Sequence, residues 1–260
     1  MDLDLKNKVV LITGGASGIG AAIVRAVACE GAIAVIADRC TELPPAMQEE
    51  LGALGAKTRL VSGDLTLLEN CKRAVDTAIG EFGRIDALVN NAGVNDRVGL
   101  EHGNPEAYVA SLQRNLLHYY NMAFYALPAL KESRGSIVNI ASKTAVTGQG
   151  DTSGYASAKG AVLALTREWA VELAPYGIRS NAVIPAEVMT PLYRSWLQTF
   201  PNPEDKLADI ISRIPLGKRM TTPDEIASMV TFLISGKAGH ITGQHLYVDG
   251  GYVHLDRAAP

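Results

Sequence analysis

Short runs of Val, Ile, Leu and Ala, four to six residues long, recur along the chain, each followed by a segment of helical length with apolar positions three and four apart. Continuous apolar runs, as opposed to strict alternation, mark strands buried on both faces. Seven are read this way: Lys8–Thr13, Ile33–Ala37, Thr58–Ser62, Ala87–Asn90, Ser136–Ala141, Arg179–Ile184 and His245–Val248. Helices are predicted over Gly18–Glu30, Glu42–Leu54, Leu67–Phe82, Pro105 to about Lys131, Tyr155–Ala174 and Pro223–Ile234. Thr222-Pro223-Asp224-Glu225 reads as a cap, a first-turn proline and two acids that suit a helix N-terminus. Pro128 predicts the end of the long central helix, or a bend in it. The alternation implies a single α/β domain over 1–260, doubly wound, with a seven-stranded parallel sheet flanked by helices.

One segment breaks the alternation. Residues 186–220 hold Tyr193, Trp196, Phe200, Pro201, Pro203 and Pro215, too long and too aromatic for a simple connection. Because ligands in open α/β sheets sit beyond the carboxyl ends of the strands, this excursion is assigned as a substrate lid. The plainer alternative is a surface loop with its own apolar cluster.

With 260 residues, 47% of them apolar, the chain can bury a sizeable core. A net charge of -3 and a pI near 6.0 give no electrostatic footprint for nucleic acid or an anionic membrane. Apolar stretches stop well short of the roughly 18 residues of a membrane span, and the opening MDLDLKNK lacks a signal-peptide pattern, so a soluble cytoplasmic protein is expected. Cys29, Cys40 and Cys71 are odd in number and have no metal-ligand spacing, which predicts reduced thiols and no metal site.

Directly after the first strand stands Thr13-Gly14-Gly15-Ala16-Ser17-Gly18-Ile19-Gly20, with a helix starting inside it. Gly14, Gly18 and Gly20 allow a tight turn, close approach to a pyrophosphate and close helix packing. The helix N-terminus, with Ser17 and Ile19, offers N–H donors to an anion. Asp38, at the end of the second strand, can accept from an adenosine ribose and repel a 2′-phosphate, which favours NAD; the adjacent Arg39 leaves NADP possible. Asp64 and Leu65 follow the third strand, where the Asp64 carboxylate could accept from adenine or, more plainly, cap a turn.

Chemistry then singles out a set of side chains. An alcohol yields hydride readily only while its proton is being removed, so a base must stand beside the nicotinamide. Tyr155 is the candidate base, and Lys159, one helical turn on, is expected to stabilise the phenolate. Ser142 emerges from the fifth strand and could hydrogen-bond the substrate oxygen. Together with Asn90-Asn91-Ala92-Gly93 and Tyr155-Ala156-Ser157-Ala158-Lys159, these residues resemble the short-chain dehydrogenase/reductase superfamily from about Lys6 to Gly251. The resemblance implies a Rossmann-like fold and a fourth catalytic member, Asn115, which holds a water linking Lys159 to solvent. It further implies that Lys159 holds the nicotinamide ribose and that Asn91, Ala92 and Gly93 contact the adenosine side. Pro185, Val188 and Thr190 would contact the carboxamide, in a segment where Ala186 replaces the family glycine. A homodimer or homotetramer is implied as well, matching apolar faces expected on the last two long helices.

Beyond this set, Asn95, Arg97, Lys143, Gln149, Glu187, Tyr193 and Trp196 are expected to line the substrate pocket. Polar side chains beside aromatics suit a sugar better than a steroid or acyl chain. Lys143-Thr144-Ala145, Thr147-Gly148-Gln149-Gly150, Thr166-Arg167-Glu168-Trp169-Ala170, Ile184-Pro185-Ala186-Glu187-Val188 and the ending around Tyr252 and His254 resemble a bacterial sugar-dehydrogenase branch that includes L-fucose dehydrogenases. That resemblance implies oxidation of an aldose at its anomeric hydroxyl. The competing readings are a carbonyl reductase or hydroxysteroid-type dehydrogenase on an apolar alcohol, and a non-catalytic nicotinamide sensor. The tail from Tyr252 to Pro260, with His254, Asp256 and Arg257, is expected to reach a neighbour's site.

Overall fold

A computed structural model describes residues 2–256. Inside its sheet lies β1 (Val9–Thr13), every residue of which is buried. Parallel to it on one side lie β2 (Ile33–Asp38) and β3 (Thr58–Ser62), and on the other β4 (Ala87–Asn90), β5 (Ser136–Ile140), β6 (Arg179–Pro185) and β7 (His245–Val248). The resulting order is β3-β2-β1-β4-β5-β6-β7. The chain therefore reverses direction across the sheet between β1 and β4, and the loops leaving these two strands diverge and open a crevice.

Helices cover both faces. On one lie α1 (Gly18–Cys29), α2 (Pro45–Ala53) and α9 (Pro223–Ile234), and α1 packs Ile23, Val24 and Val27 into a core shared with Ile226 and Val230 of α9. On the other lie α3 (Leu68–Phe82), α5 (His118–Ser133) and α6 (Ser153–Leu173), closing over Leu11, Leu88 and Ile137. The α9 start is a full capping box, with the Thr222 hydroxyl accepting from the Glu225 N–H at 3.2 Å and the Glu225 carboxylate from the Thr222 N–H at 2.8 Å. Buried amides stitch the second layer together: Asn90 donates to Asn139 at 3.0 Å, and Asn139 donates to Thr166 of α6 at 3.0 Å.

The central helix holds one feature that its spacing did not indicate, and it excludes one of the two outcomes expected at Pro128. It opens as α4 (Pro105–Leu112), widens into a π-helical turn over Gln113–Leu117 and resumes as α5. Pro128 does not end it, and α5 continues to Ser133. Proline removes the donor to the carbonyl of Phe124, but both residues lie on the exposed side, where water can take the place of that donor.

Residues 186–220 fold into two short helices, α7 (Pro191–Leu197) and α8 (Pro203–Ser212). The excursion is closed at its neck, where Val188 bridges Thr221 and the Thr221 N–H donates to the Glu187 carbonyl at 3.0 Å. Among the described residues no helix is long and apolar enough to cross a membrane.

Candidate active site

A cleft of about 610 Å³ opens at the carboxyl ends of the strands. One wall is the turn from β1 into α1, through Gly14, Ser17, Gly18 and Ile19. Gly14 takes φ +65°, and a Cβ there would lie 2.9 Å from the Ala92 backbone. Gly20 lies behind this wall, its Cα so close to the Gly14 carbonyl that an added Cβ would fall 2.0 Å from the oxygen. Thr13, at the end of β1, accepts from the Asn91 and Ala92 N–H groups at 2.9 and 3.0 Å, while the Asn91 amide donates to the carbonyls of Thr13 and Gly14. Asn91 thus braces the loop as well as lining the cleft. Ser17 supplies no side-chain cap to α1, so the helix keeps uncapped first-turn N–H groups facing the cavity.

At one end of the cleft stand Asp38, Arg39, Asp64 and Leu65. The Asp38 carboxylate accepts from the Ala16 N–H at 3.0 Å and the Cys40 N–H at 3.3 Å, which fixes its orientation. One oxygen of Asp64 accepts from both the N–H and the hydroxyl of Thr66 at 2.9 Å, and these bonds lower its pKa. This is the turn-capping role, held by a residue that also lines the cleft.

At the other end, Ser142, Tyr155 and Lys159 come together with Gly93 and Asn95. The Ser142 oxygen accepts from the N–H and hydroxyl of Thr144 at 3.2 and 3.1 Å, which leaves its own proton free for another acceptor in the cleft. Burial pushes the Tyr155 phenol up to about 12, the Ser142 hydroxyl draws it down and the Asp96 carboxylate raises it further. The Lys159 ammonium lies 5.6 Å from the centre of the Tyr155 ring. It donates to the Tyr119 hydroxyl and the Ile140 carbonyl, both at 2.8 Å, and burial pulls its pKa down to about 7. In the folded chain itself burial, not the ammonium, dominates the phenol, so the expected lowering by Lys159 is not seen there.

Asn115 sits in the π-helical turn, fully buried. Its carbonyl oxygen accepts from the Val94 N–H at 2.7 Å, and its amide donates to the Ser111 carbonyl at 3.0 Å. It faces Lys159 across Gly93, where an added Cβ would be 3.1 Å from the Asn115 oxygen and 3.4 Å from the Lys159 nitrogen.

Pro185, Val188 and Thr190 line the wall leaving β6, and Thr190 caps α7 through the Tyr193 N–H at 3.1 Å. Of the expected substrate residues, Asn95 and Tyr193 line the cleft. Lys143 and Glu187 are buried and paired with each other instead, with Tyr193 donating to the second Glu187 oxygen at 2.7 Å and the Lys143 ammonium 4.1 Å from the Tyr252 ring centre. Trp196 stands behind, edge-on between Tyr193 and Phe200, and Gln149 is exposed; neither borders the cavity. Arg97 reaches toward Asp151 at 3.8 Å. The described part of the tail folds onto its own chain, His254 lying edge-on to Tyr247 at 4.3 Å; Arg257 falls outside the described residues.

Four further residues escaped the sequence reading. Thr13 and Tyr119 act as described, and Asp96 accepts from Ser111 at 2.8 Å and pairs with Arg114 at 3.1 Å. His118 lines the cleft, bonded through Nε2 to the Arg114 carbonyl at 3.0 Å, and burial pulls its pKa down to about 4.

Residues 14–253 match a protein-family profile described as enoyl-(acyl carrier protein) reductase. An L-fucose dehydrogenase of Bos taurus is 37% identical over 94% of this chain and 89% of its own length. The chain belongs to the short-chain dehydrogenase/reductase family. Members of several specificities are similar to it. A 3-oxoacyl-acyl-carrier-protein reductase of Thermotoga maritima is 36% identical over 96% of this chain and 99% of its own. Among solved structures, Cj0485 dehydrogenase is 49% identical with a TM-score of 0.96, covering 99% of this chain and 98% of that one. The aldohexose dehydrogenase of Thermoplasma acidophilum is 34% identical with a TM-score of 0.88, covering 98% of each chain. As a short-chain dehydrogenase/reductase, the chain is an oxidoreductase acting on CH–OH groups with a nicotinamide cofactor. The residues fit that cofactor: a glycine-rich turn at a helix N-terminus, a fixed carboxylate some way along the cleft, and a cavity within the volume range of small-ligand sites.

Proposed function

We propose that this enzyme oxidises a small polyhydroxylated alcohol, an aldose such as L-fucose at its anomeric hydroxyl, to the lactone, with NAD as the acceptor. The observation that carries the reading is the convergence of Ser142, Tyr155 and Lys159 on one cleft, with the Lys159 ammonium 5.6 Å from the centre of the Tyr155 ring. The uncapped start of α1 would take the pyrophosphate, Asp38 the adenosine ribose, Asp64 and Leu65 the adenine, and Asn91, Ala92 and Gly93 the middle of the molecule. Lys159 would hold the nicotinamide ribose, with Pro185, Val188 and Thr190 against the carboxamide. When bound, the nicotinamide supplies the hydride acceptor and a positive charge near the phenol.

Ser142 would donate to the substrate oxygen, Tyr155 would remove its proton, and Lys159 would favour the phenolate by its charge. Asn115, across Gly93 from the ammonium, would hold the water through which that proton reaches solvent. Asp38 supports NAD because two backbone donors keep its carboxylate from swinging away from a 2′-phosphate; Arg39 leaves NADP as the weaker partner. The sugar reading is supported by the L-fucose and aldohexose dehydrogenases among the relatives and by Asn95 and the Tyr193 phenol at the cavity wall. Residues 186–220, reaching the cavity through Tyr193, would act as the lid.

Reduction of a 3-oxoacyl or other apolar carbonyl is the second reading, favoured by the Thermotoga maritima relative. A panel of aldopyranoses, apolar alcohols and 3-oxoacyl thioesters, assayed with both cofactors by nicotinamide absorbance, separates the two. Aldose oxidation is expected, with NAD preferred by about tenfold or more, a difference of roughly 1.4 kcal/mol. Turnover of the apolar substrates with none of any aldose would replace the first reading by the second.

A further inference from the structure

Lys159 carries its ammonium into the core at 2% exposure, and burial alone accounts for its lowered pKa, with no carboxylate set against it. Two groups close a triangle with it. The ammonium donates to the Tyr119 hydroxyl and to the Ile140 carbonyl at 2.8 Å each, and Tyr119 donates its own proton to that carbonyl at 2.9 Å. The triangle joins α5, α6 and the end of β5, two residues before Ser142. Tyr119 is fully buried, and its pKa is raised far above the ordinary phenol value, so its hydroxyl stays neutral and keeps a lone pair for the ammonium.

We propose that Tyr119 is a positioning residue for the proton transfer, its hydroxyl holding the Lys159 ammonium charged and in place behind Tyr155. This rests on the dehydrogenase mechanism set out above. The titratable groups facing Lys159 are Tyr119 and His118 from α5 and Tyr155 from its own helix. His118 stays neutral above about pH 4, and Asp96, in the loop after β4, acts on the Tyr155 phenol. With no carboxylate there, the acceptors are the Ile140 carbonyl and the Tyr119 hydroxyl, and Tyr119 supplies the side-chain one.

Tyr119→Phe removes the hydroxyl and keeps the ring. With the substrate that the wild type oxidises best, kcat is expected to fall about tenfold and the alkaline limb of the pH profile to move acidward by about one unit, as Lys159 gives up its proton more easily. The protein without substrate gives a second readout. The Tm gap between wild type and variant is expected to be widest at about pH 6, where the amine is charged, and to shrink to a constant by about pH 9. In a Lys159→Met background the gap should not vary with pH. A gap that is the same at every pH, with an unmoved kinetic profile, would show that Tyr119 only fills space and end the proposal. If the wild type oxidises no alcohol, the functional reading falls, while the Tm comparison still decides the role of Tyr119.

Discussion

At the scale of single residues, the site is governed by competition between burial and hydrogen bonding. The Tyr155 phenol is pushed up to about 12 by burial and drawn down by Ser142, so its basic form grows as pH rises toward that value. Oxidation by kcat/KM is expected to climb with pH as the phenolate grows, until Lys159, at about 7, gives up its proton, and to fall beyond; carbonyl reduction, which needs the protonated phenol, should lack the climb. A pH series in both directions checks this, and a flat oxidation profile would rule the phenol out as the base. Tyr155→Phe should lower turnover by about 10²–10⁴-fold. Residue types at the reacting centre were readable from the sequence because their chemistry constrains them. Their partners were not. Lys143 follows β5 and Glu187 follows β6, and because these neighbouring strands run parallel with Ile140 opposite Val183, the two side chains meet each other instead of a substrate. Strand order, which periodicity does not encode, was the missing information.

Elements were legible where one local rule acted alone. The seven strands fall within a residue or two of the apolar runs, and the α9 capping box forms as its Thr-Pro-Asp-Glu pattern indicates. Two features of the central helix lay beyond what its spacing shows. Its π-helical turn accompanies the Asn115 amide bonding the Ser111 carbonyl, a side-chain interaction that helical spacing alone does not show. Pro128 is tolerated because it faces outward, and facing is a tertiary fact. The Gly-rich turn carries the sharper prediction. A Cβ at Gly20 would fall 2.0 Å from the Gly14 oxygen, so Gly20→Ala must displace backbone in the cleft wall. The expected cost is about 1–3 kcal/mol of stability, with NADH affinity reduced about tenfold or more, measured by thermal melting and by NADH fluorescence. Unchanged affinity would mean that the turn does not shape the dinucleotide site.

Over the whole molecule, the reversal between β1 and β4 puts every residue of the proposed reaction at one edge of the sheet. The outer surface shows where copies could meet. Apolar faces were expected on the last two long helices, but α9 buries its own against α1, while Val171 on α6 and, along the central helix, Leu117, Tyr120 and Phe124 are among the exposed apolar side chains. Tyr120 and Phe124 stack with ring centres 6.3 Å apart. We propose that this exposed aromatic pair belongs to the contact between copies in a homodimer or homotetramer, since grouped exposed apolar side chains are a common mark of association. Phe124→Asp should lower the mass seen in sedimentation while leaving the fold intact; a wild type that sediments as a monomer would refute it.

The bonded neck between Val188 and Thr221 makes the intervening loop with its two helices a cassette: its ends are pinned side by side where it leaves and rejoins the body. Such a module can be lengthened, shortened or transplanted between relatives with little strain on the sheet beneath. On the proposed reading of residues 186–220 as the lid, changes in what this enzyme accepts are free to accumulate there while the chemistry below stays put.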